Sequence, residues 1–231
     1  MPGKLSKVAI IGANGKVGRL IIEKLKEDRK HFDVPLAIVR NKEQVDYFKN
    51  EVKIDASLTS IEHSSAKELA NALKGCDAVI FTAGAGGTSI ERIFTVDLDG
   101  CVKTVEACES VGIKRLIVVS AVKAEHRDFW WNIQGLRNYY IAKRAADHDV
   151  RQSKLDYTIV QPGWLKSGEP TGKLQPLEKF EEKAEGSYAI ERADVASFII
   201  QALLHPEKTA RKTIELANGN QPIDEFIHAL K

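Results

Sequence analysis

Short apolar runs alternate with stretches of helical periodicity along the whole chain. Lys7–Ile11, Leu36–Arg40, Val52–Asp55, Ala78–Thr82, Arg115–Ser120, Tyr157–Gln161 and Thr213–Leu216 predict strands. Several are continuous rather than alternating, as in Leu116-Ile117-Val118-Val119. That pattern belongs to strands covered on both faces. Between them, apolar positions recur at helical spacing over Val17–Lys26, Lys42–Lys49, Ala66–Leu73, Leu98–Ser110, Leu136–Gln152, Arg192–Leu204 and Ile223–Leu230. Strict alternation of the two element types requires helical crossovers between parallel strands. The expected class is therefore α/β, a doubly wound parallel sheet with helices on both faces. No internal repeat or low-complexity tract interrupts the rhythm.

The first strand–helix junction carries chemistry. Gly12-Ala13-Asn14-Gly15-Lys16-Val17-Gly18 follows the run Val8–Ile11 and precedes the first helical pattern. Gly12, Gly15 and Gly18 form G-x-x-G-x-x-G. Such glycines permit a tight turn and close approach of backbone to a pyrophosphate, with the helix N-terminus supplying free N–H groups. A magnesium-dependent phosphate loop is excluded, because Lys16 is followed by Val17 and not by a hydroxyl residue. The turn is expected to hold a nicotinamide dinucleotide.

The second strand bears on which one. It ends in Arg40, where readers of NAD place a carboxylate for the ribose 2′-hydroxyl, and no acid follows until Glu43. A guanidinium suits a 2′-phosphate, so NADP(H) is favoured over NAD(H); a solvated strand end is the plain alternative. Asp55, placed at the end of the third strand, is a candidate acceptor for the adenine amino group or else a turn cap. After the fourth strand, Thr82-Ala83-Gly84-Ala85-Gly86-Gly87 offers small residues against which a cofactor can lie, or a plain flexible loop.

Tyr139 and Lys143 stand four apart on a predicted helix and so share a face. A lysine ammonium beside a phenol favours its ionised form, and such a tyrosine can pass a proton to a carbonyl oxygen; on spacing alone the plainer reading is a core tyrosine with a solvated lysine. Tyr140 competes for the role, three residues from Lys143. Ser120 ends the fifth strand, either to polarise a substrate carbonyl or merely to end the strand. Two further stretches sit at strand ends: the aromatic cluster Phe129-Trp130-Trp131 and the segment 164–186 with its charged run Glu178–Glu185. Each lines or caps a substrate, or else packs and solvates the surface.

With these motifs in view, the chain resembles an atypical short-chain dehydrogenase/reductase of the NAD(P)H-binding, NmrA-like kind, and most of all the small cytoplasmic fungal members. The resemblance runs over about residues 6 to 230. It rests on the glycine turn with Arg40, on Ala72–Ile80, Val96-Asp97-Leu98-Asp99-Gly100, Ala107–Ser120, Tyr139–Asp147, Leu155–Gly163 and Arg192–Ala196. It implies one Rossmann-type domain over 1–231, with about 162–231 contributing a small substrate-side portion. It implies nucleotide contacts at Gly12, Asn14, Gly15, Lys16, Val17, Gly18, Arg40, Asp55, Ala83, Gly84, Ala85, Gly86, Pro162 and Gly163. It also implies Ser120, Tyr139 and Lys143 as the catalytic trio, Lys143 holding the nicotinamide ribose as well. The chain departs from the family pattern in a longer interval between Ser120 and Tyr139 and in having no obvious equivalent of the additional catalytic asparagine.

Composition narrows the remaining options. The 231 residues carry 34 basic and 32 acidic side chains, a net charge of +2. That leaves no footprint for nucleic acid. No apolar run approaches the roughly 20 residues that span a bilayer, and the N-terminus lacks the pattern of a secretory signal. Three cysteines make no disulfide framework, with Cys101 and Cys108 sharing a helical face as core residues, and a reducing cytoplasmic compartment is expected. The six histidines include no i, i+3 or i, i+4 pair and no nearby cysteine couple, so no metal centre is expected. Two readings from different classes follow. One is an NADP-dependent oxidoreductase acting on a small carbonyl, alcohol or quinone; the other is a non-catalytic NADP(H)-binding sensor. A flavin or quinone reductase without a tyrosine acid is a third. Neither the substrate nor the oligomeric state is written in any motif.

Overall fold

The computed structural model describes residues 6–86, 89–182 and 188–231. Gly87 of the small-residue loop and residues 183–186 of the 164–186 segment lie outside them. The strands are β1 Val8–Ile11, β2 Leu36–Val39, β3 Asp55–Leu58, β4 Ala78–Phe81, β5 Arg115–Val119, β6 Asp156–Pro162, β7 Trp164–Lys166, β8 Lys173–Leu174, β9 Ala189–Glu191, β10 Lys212–Leu216 and β11 Gln221–Pro222. The helices are α1 Lys16–Glu27, α2 Lys42–Tyr47, α3 Ala66–Leu73, α4 Ile90–Arg92, α5 Asp99–Val111, α6 Arg127–Trp130, α7 Arg137–Gln152, α8 Arg192–Leu204, α9 Pro206–Thr209 and α10 Ile223–Ala229.

Seven strands form one parallel sheet in the order β10-β6-β5-β4-β1-β2-β3. Chain direction of travel reverses beside β1, between β4 and β2. A cleft opens at such a switch point, outside the carboxyl ends of the strands. The continuous apolar runs have a simple cause: successive side chains serve opposite cores. Val8, Ile10, Ala37, Val39, Ala78 and Ile80 join α1, α8 and α10 on one face. Ala9, Ile11, Ile38, Val79 and Phe81 join α3, α5 and α7 on the other. This is the doubly wound Rossmann-type fold expected. Local signals agree with it: Ser65 and Glu68 make a reciprocal capping box on α3, and Gly112 closes α5 in the left-handed conformation.

One strand is displaced from expectation. Val52–Asp55 is not the third strand; α2 continues into a π-helical turn, Phe48–Val52, ended by Lys53 at φ 62°. The strand begins at Asp55 and runs to Leu58. It lies at the sheet's open edge, with Asp55 and Leu58 exposed, so it carries no apolar run to betray it.

The C-terminal third divides between two places. α8 packs on α1 and β10 completes the sheet. At the carboxyl edge, β7 pairs with β9, β8 pairs with β11, and Leu177–Glu182 forms a 3-10 turn. The 164–186 segment is thus partly regular structure, held down where Lys123 pairs with Glu181 and Glu215. No helix among the described residues is long and apolar enough to cross a membrane.

Candidate cofactor and substrate site

The glycine turn joins β1 to α1 at the switch point. Gly12 adopts φ 84°, and a Cβ there would come within 2.5 Å of the Ala83 backbone nitrogen. Only glycine lets the ends of β1 and β4 approach so closely. A Cβ on Gly18 would stand 2.6 Å from the Gly12 carbonyl oxygen, so α1 is seated directly on the turn. Gly15 caps α1 without any side-chain hydrogen bond, and the first turn of the helix carries no acid. Its end therefore presents backbone N–H groups and a positive dipole end to the cleft.

A cavity of about 360 Å³ opens above this turn. Gly12, Asn14 and Gly15 form its floor, Ala83, Gly84, Ala85 and Gly86 one wall, and Arg40, Gln44, Thr59 and Ile61 the other. Lys16, Val17 and Gly18 are adjacent but outside the lining; Val17 is buried in the core below. Arg40 is exposed at the rim. Its backbone N–H donates to Gln44 Oε1 at 3.2 Å, and its guanidinium has no partner among the described residues. Arg19 braces the turn, donating to Asn14 Oδ1 at 2.6 Å and to the Tyr47 hydroxyl at 2.9 Å. A dinucleotide fits this set: a glycine cradle that any Cβ would fill, an uncapped helix end for the pyrophosphate, and a free cation at the rim.

Asp55 does not belong to it. As the first residue of β3, it stands at the opposite end of the sheet, paired at 2.8 Å with Lys7 just before β1. It is not placed to meet an adenine. Thr59 and Ile61, which follow the true end of β3, hold the position that the misplaced strand assigned to Asp55.

The three candidate catalytic residues lie on the β5–β6 side of the same edge, outside the cavity lining, as do Pro162 and Gly163. Ser120 is 4% exposed, and its hydroxyl donates to Asp147 Oδ2 at 2.7 Å. Gln161 donates to the same oxygen at 2.9 Å. Lys143 Nζ donates to the Val119 carbonyl at 2.8 Å and pairs with the buried Asp97 at 3.6 Å. Its ammonium stands 5.9 Å from the centre of the Tyr139 ring. Tyr139 is half-buried against Ala85, Ile93 and Ala142, and its hydroxyl has no hydrogen bond among the described residues. The fold thus brings Tyr139 to Lys143, while Ser120 is tied to Asp147.

Burial raises the Tyr139 phenol above its ordinary pKa, with Lys143 opposing. Burial works against the Lys143 charge too, but Tyr139, Asp97 and Asp147 outweigh it and hold the lysine above its ordinary value. Burial pushes the Asp147 carboxyl up to about 6, against the hydrogen bonds from Ser120 and Gln161. Tyr140 is a core residue. It is 1% exposed, stacked on Trp130 at 5.6 Å, and burial raises its phenol above its ordinary pKa. Trp130 is fully buried and its Nε1 donates to the Ala124 carbonyl at 3.0 Å. Phe129 bridges Tyr140 and Tyr188. Of that aromatic cluster only Trp131 is exposed, beneath Arg137.

Sequence reasoning missed Asp97. Its carboxylate accepts the Ala85 N–H at 2.8 Å and faces Lys143, so it couples the small-residue loop after β4 to that lysine. It lies in a π-helical stretch, Ile93–Leu98, between α4 and α5. A lone acid in Phe94-Thr95-Val96-Asp97-Leu98 was the available signal. Arg92, which donates to the Ala85 carbonyl and Glu62 and lines the cavity, had none.

Residues 12–206 match the family described as NAD(P)H-binding. The chain belongs to that family. Among its relatives, UPF0659 protein YMR090W of Saccharomyces cerevisiae is 63% identical, over 97% of this chain and 98% of its own. The protein named uncharacterized sugar epimerase YhfK, of Bacillus subtilis, is 38% identical over 97% of this chain and 100% of its own. Among solved structures, the oxidoreductase ylbE from Lactococcus lactis superposes with a TM-score of 0.83 at 31% identity, covering 97% of this chain and 96% of that one. The NAD(P)H-binding family and its oxidoreductase-like character thus stand on both sequence and fold.

Proposed function

We propose that this chain is an NADP(H)-dependent oxidoreductase acting between NADPH and a small carbonyl, quinone or alcohol. Arg40 carries the cofactor preference. Its guanidinium is exposed at the cavity rim without a described partner, where a reader of NAD would present a carboxylate. A planar fork of donors there recognises a 2′-phosphate. The bound nicotinamide would supply or accept the hydride.

Tyr139 is the proton donor. Burial keeps its phenol protonated, its hydroxyl has no hydrogen bond among the described residues, and the neighbouring ammonium stabilises the phenolate left after transfer. Asp97 and the Val119 carbonyl hold Lys143 for that task. Ser120, with its proton committed to Asp147, orients a substrate hydroxyl by accepting a hydrogen bond. The oxidoreductase name of the Lactococcus relative supports this reading, and three free, buried cysteines support a reducing cytoplasmic setting.

The test is Tyr139→Phe, assayed with NADPH against a panel of carbonyls, quinones and free flavin. Turnover is expected to fall by about 10²–10⁴-fold, with NADPH affinity within about twofold of wild type. Undiminished turnover would remove Tyr139 from the chemistry. A second reading, a non-catalytic NADP(H) sensor, draws support from the commitment of Ser120 and Lys143 to internal bonds. It expects no turnover with any acceptor and a weakened NADPH response in Arg40→Ala.

A further inference from the structure

Away from the cleft, the fold gathers residues that no local spacing connects. His205 ends α8, half-buried, and α10 packs against that helix with Asp224 and His228 exposed one turn apart. A nitrogen from each imidazole and an Asp224 carboxylate oxygen lie within 4.8 Å of one another. The ring centres are 5.1 Å apart, inclined at 61°. Both Nδ1 atoms also have acceptors nearby. His205 Nδ1 lies 3.2 Å from Glu207 Oε1, and His228 Nδ1 lies 2.8 Å from the Asp224 carbonyl oxygen and 3.4 Å from its carboxylate Oδ1. A neutral ring that donates from Nδ1 keeps its lone pair on Nε2. An acceptor on one ring nitrogen fixes the tautomer and leaves the other nitrogen able to ligate.

We infer that His205, His228 and Asp224 form a site for a divalent transition-metal ion of the zinc class, with a fourth position left to water. Two imidazoles and one carboxylate suit such an ion, whereas magnesium and calcium prefer oxygen donors throughout. Competition from thiols is weak. Cys76, Cys101 and Cys108 are all buried, and burial raises their thiols, those of Cys101 and Cys108 to about 12. The sequence expectation of no metal centre rested on local spacing, which cannot register a pair joined by the packing of α10 on α8. A bound ion ties these two elements together, so metal binding and thermal stability are linked.

The test uses the full-length, untagged protein stripped with a chelator. Zinc chloride is titrated by calorimetry, and cobalt(II) is followed by its visible d–d absorption. One saturable equivalent and a rise in Tm with excess zinc are expected. His205→Gln and His228→Gln should each weaken binding by on the order of tenfold or more and abolish the cobalt bands, with NADPH affinity unchanged. Asp224→Asn, on the exposed face of α10, should weaken binding as well, which covers the case of an unstable histidine variant. The absence of saturable binding, or one-to-one binding that survives both histidine substitutions, would overturn the assignment.

Discussion

Asp147→Asn probes the buried polar network beneath the candidate catalytic residues. Asp147 is 1% exposed. Its Oδ2 accepts from Ser120 and Gln161, and its Oδ1 has no partner among the described residues. Burial lifts its carboxyl from 3.8 to about 6. A carboxyl raised in the folded state holds its proton more tightly folded than unfolded. The stability it contributes is full at low pH and is lost as pH rises through about 6. The full shift corresponds to about 3 kcal/mol, of which about 1 kcal/mol is lost between pH 5 and pH 7. Asparagine keeps an oxygen for Ser120 and Gln161 but does not titrate. Urea unfolding of both proteins at pH 5, 6, 7 and 8 gives a difference from which other titrating groups largely cancel. The variant should gain about 1 kcal/mol on wild type from pH 5 to pH 7 and then level off. A pH-independent difference would refute the assignment of a raised carboxyl to Asp147.

Other changes test the architecture. Gly12→Ala places a Cβ 2.5 Å from backbone at a left-handed φ; a loss of about 2 kcal/mol or more is expected in urea unfolding, together with loss of NADPH binding. Arg19→Ala removes the brace on Asn14 without touching the core, so cofactor affinity in a fluorescence titration should fall several-fold while Tm changes little. Trp130→Leu vacates a fully buried stack on Tyr140 and orphans the Ala124 carbonyl. About 3 kcal/mol of stability should be lost, readable in the unfolding midpoint.

Most of the fold is legible in the order of apolar runs and helical patterns, because the interior strands are buried on both faces and must be continuously apolar. β3 escaped because an exposed edge strand needs no such run, and that single displacement carried Asp55 to the wrong end of the sheet. The glycine turn was legible since its sterics are local: Gly12 and Gly18 answer to backbone only a few ångströms away. The polar network was not. Asp97, Asp147 and Gln161 meet Lys143 and Ser120 only when the π-helical stretch Ile93–Leu98, α7, β5 and β6 are assembled, and no spacing in the chain encodes that meeting. The same holds for Trp130: its aromatic neighbours left both substrate lining and packing open, and its burial makes it core.

On the function proposed above, the bend between β1 and α1 holds a nicotinamide dinucleotide and Arg40 reads its 2′-phosphate. Fluorescence titration of wild type and Arg40→Ala with NADPH and NADH tests it most directly. Wild type should bind NADPH roughly tenfold or more tighter than NADH, the margin a charge-assisted contact provides, and Arg40→Ala should lose that margin while binding NADH as before. Equal or tighter binding of NADH by wild type would contradict the role of Arg40, and no saturable binding of either nucleotide would contradict the site itself.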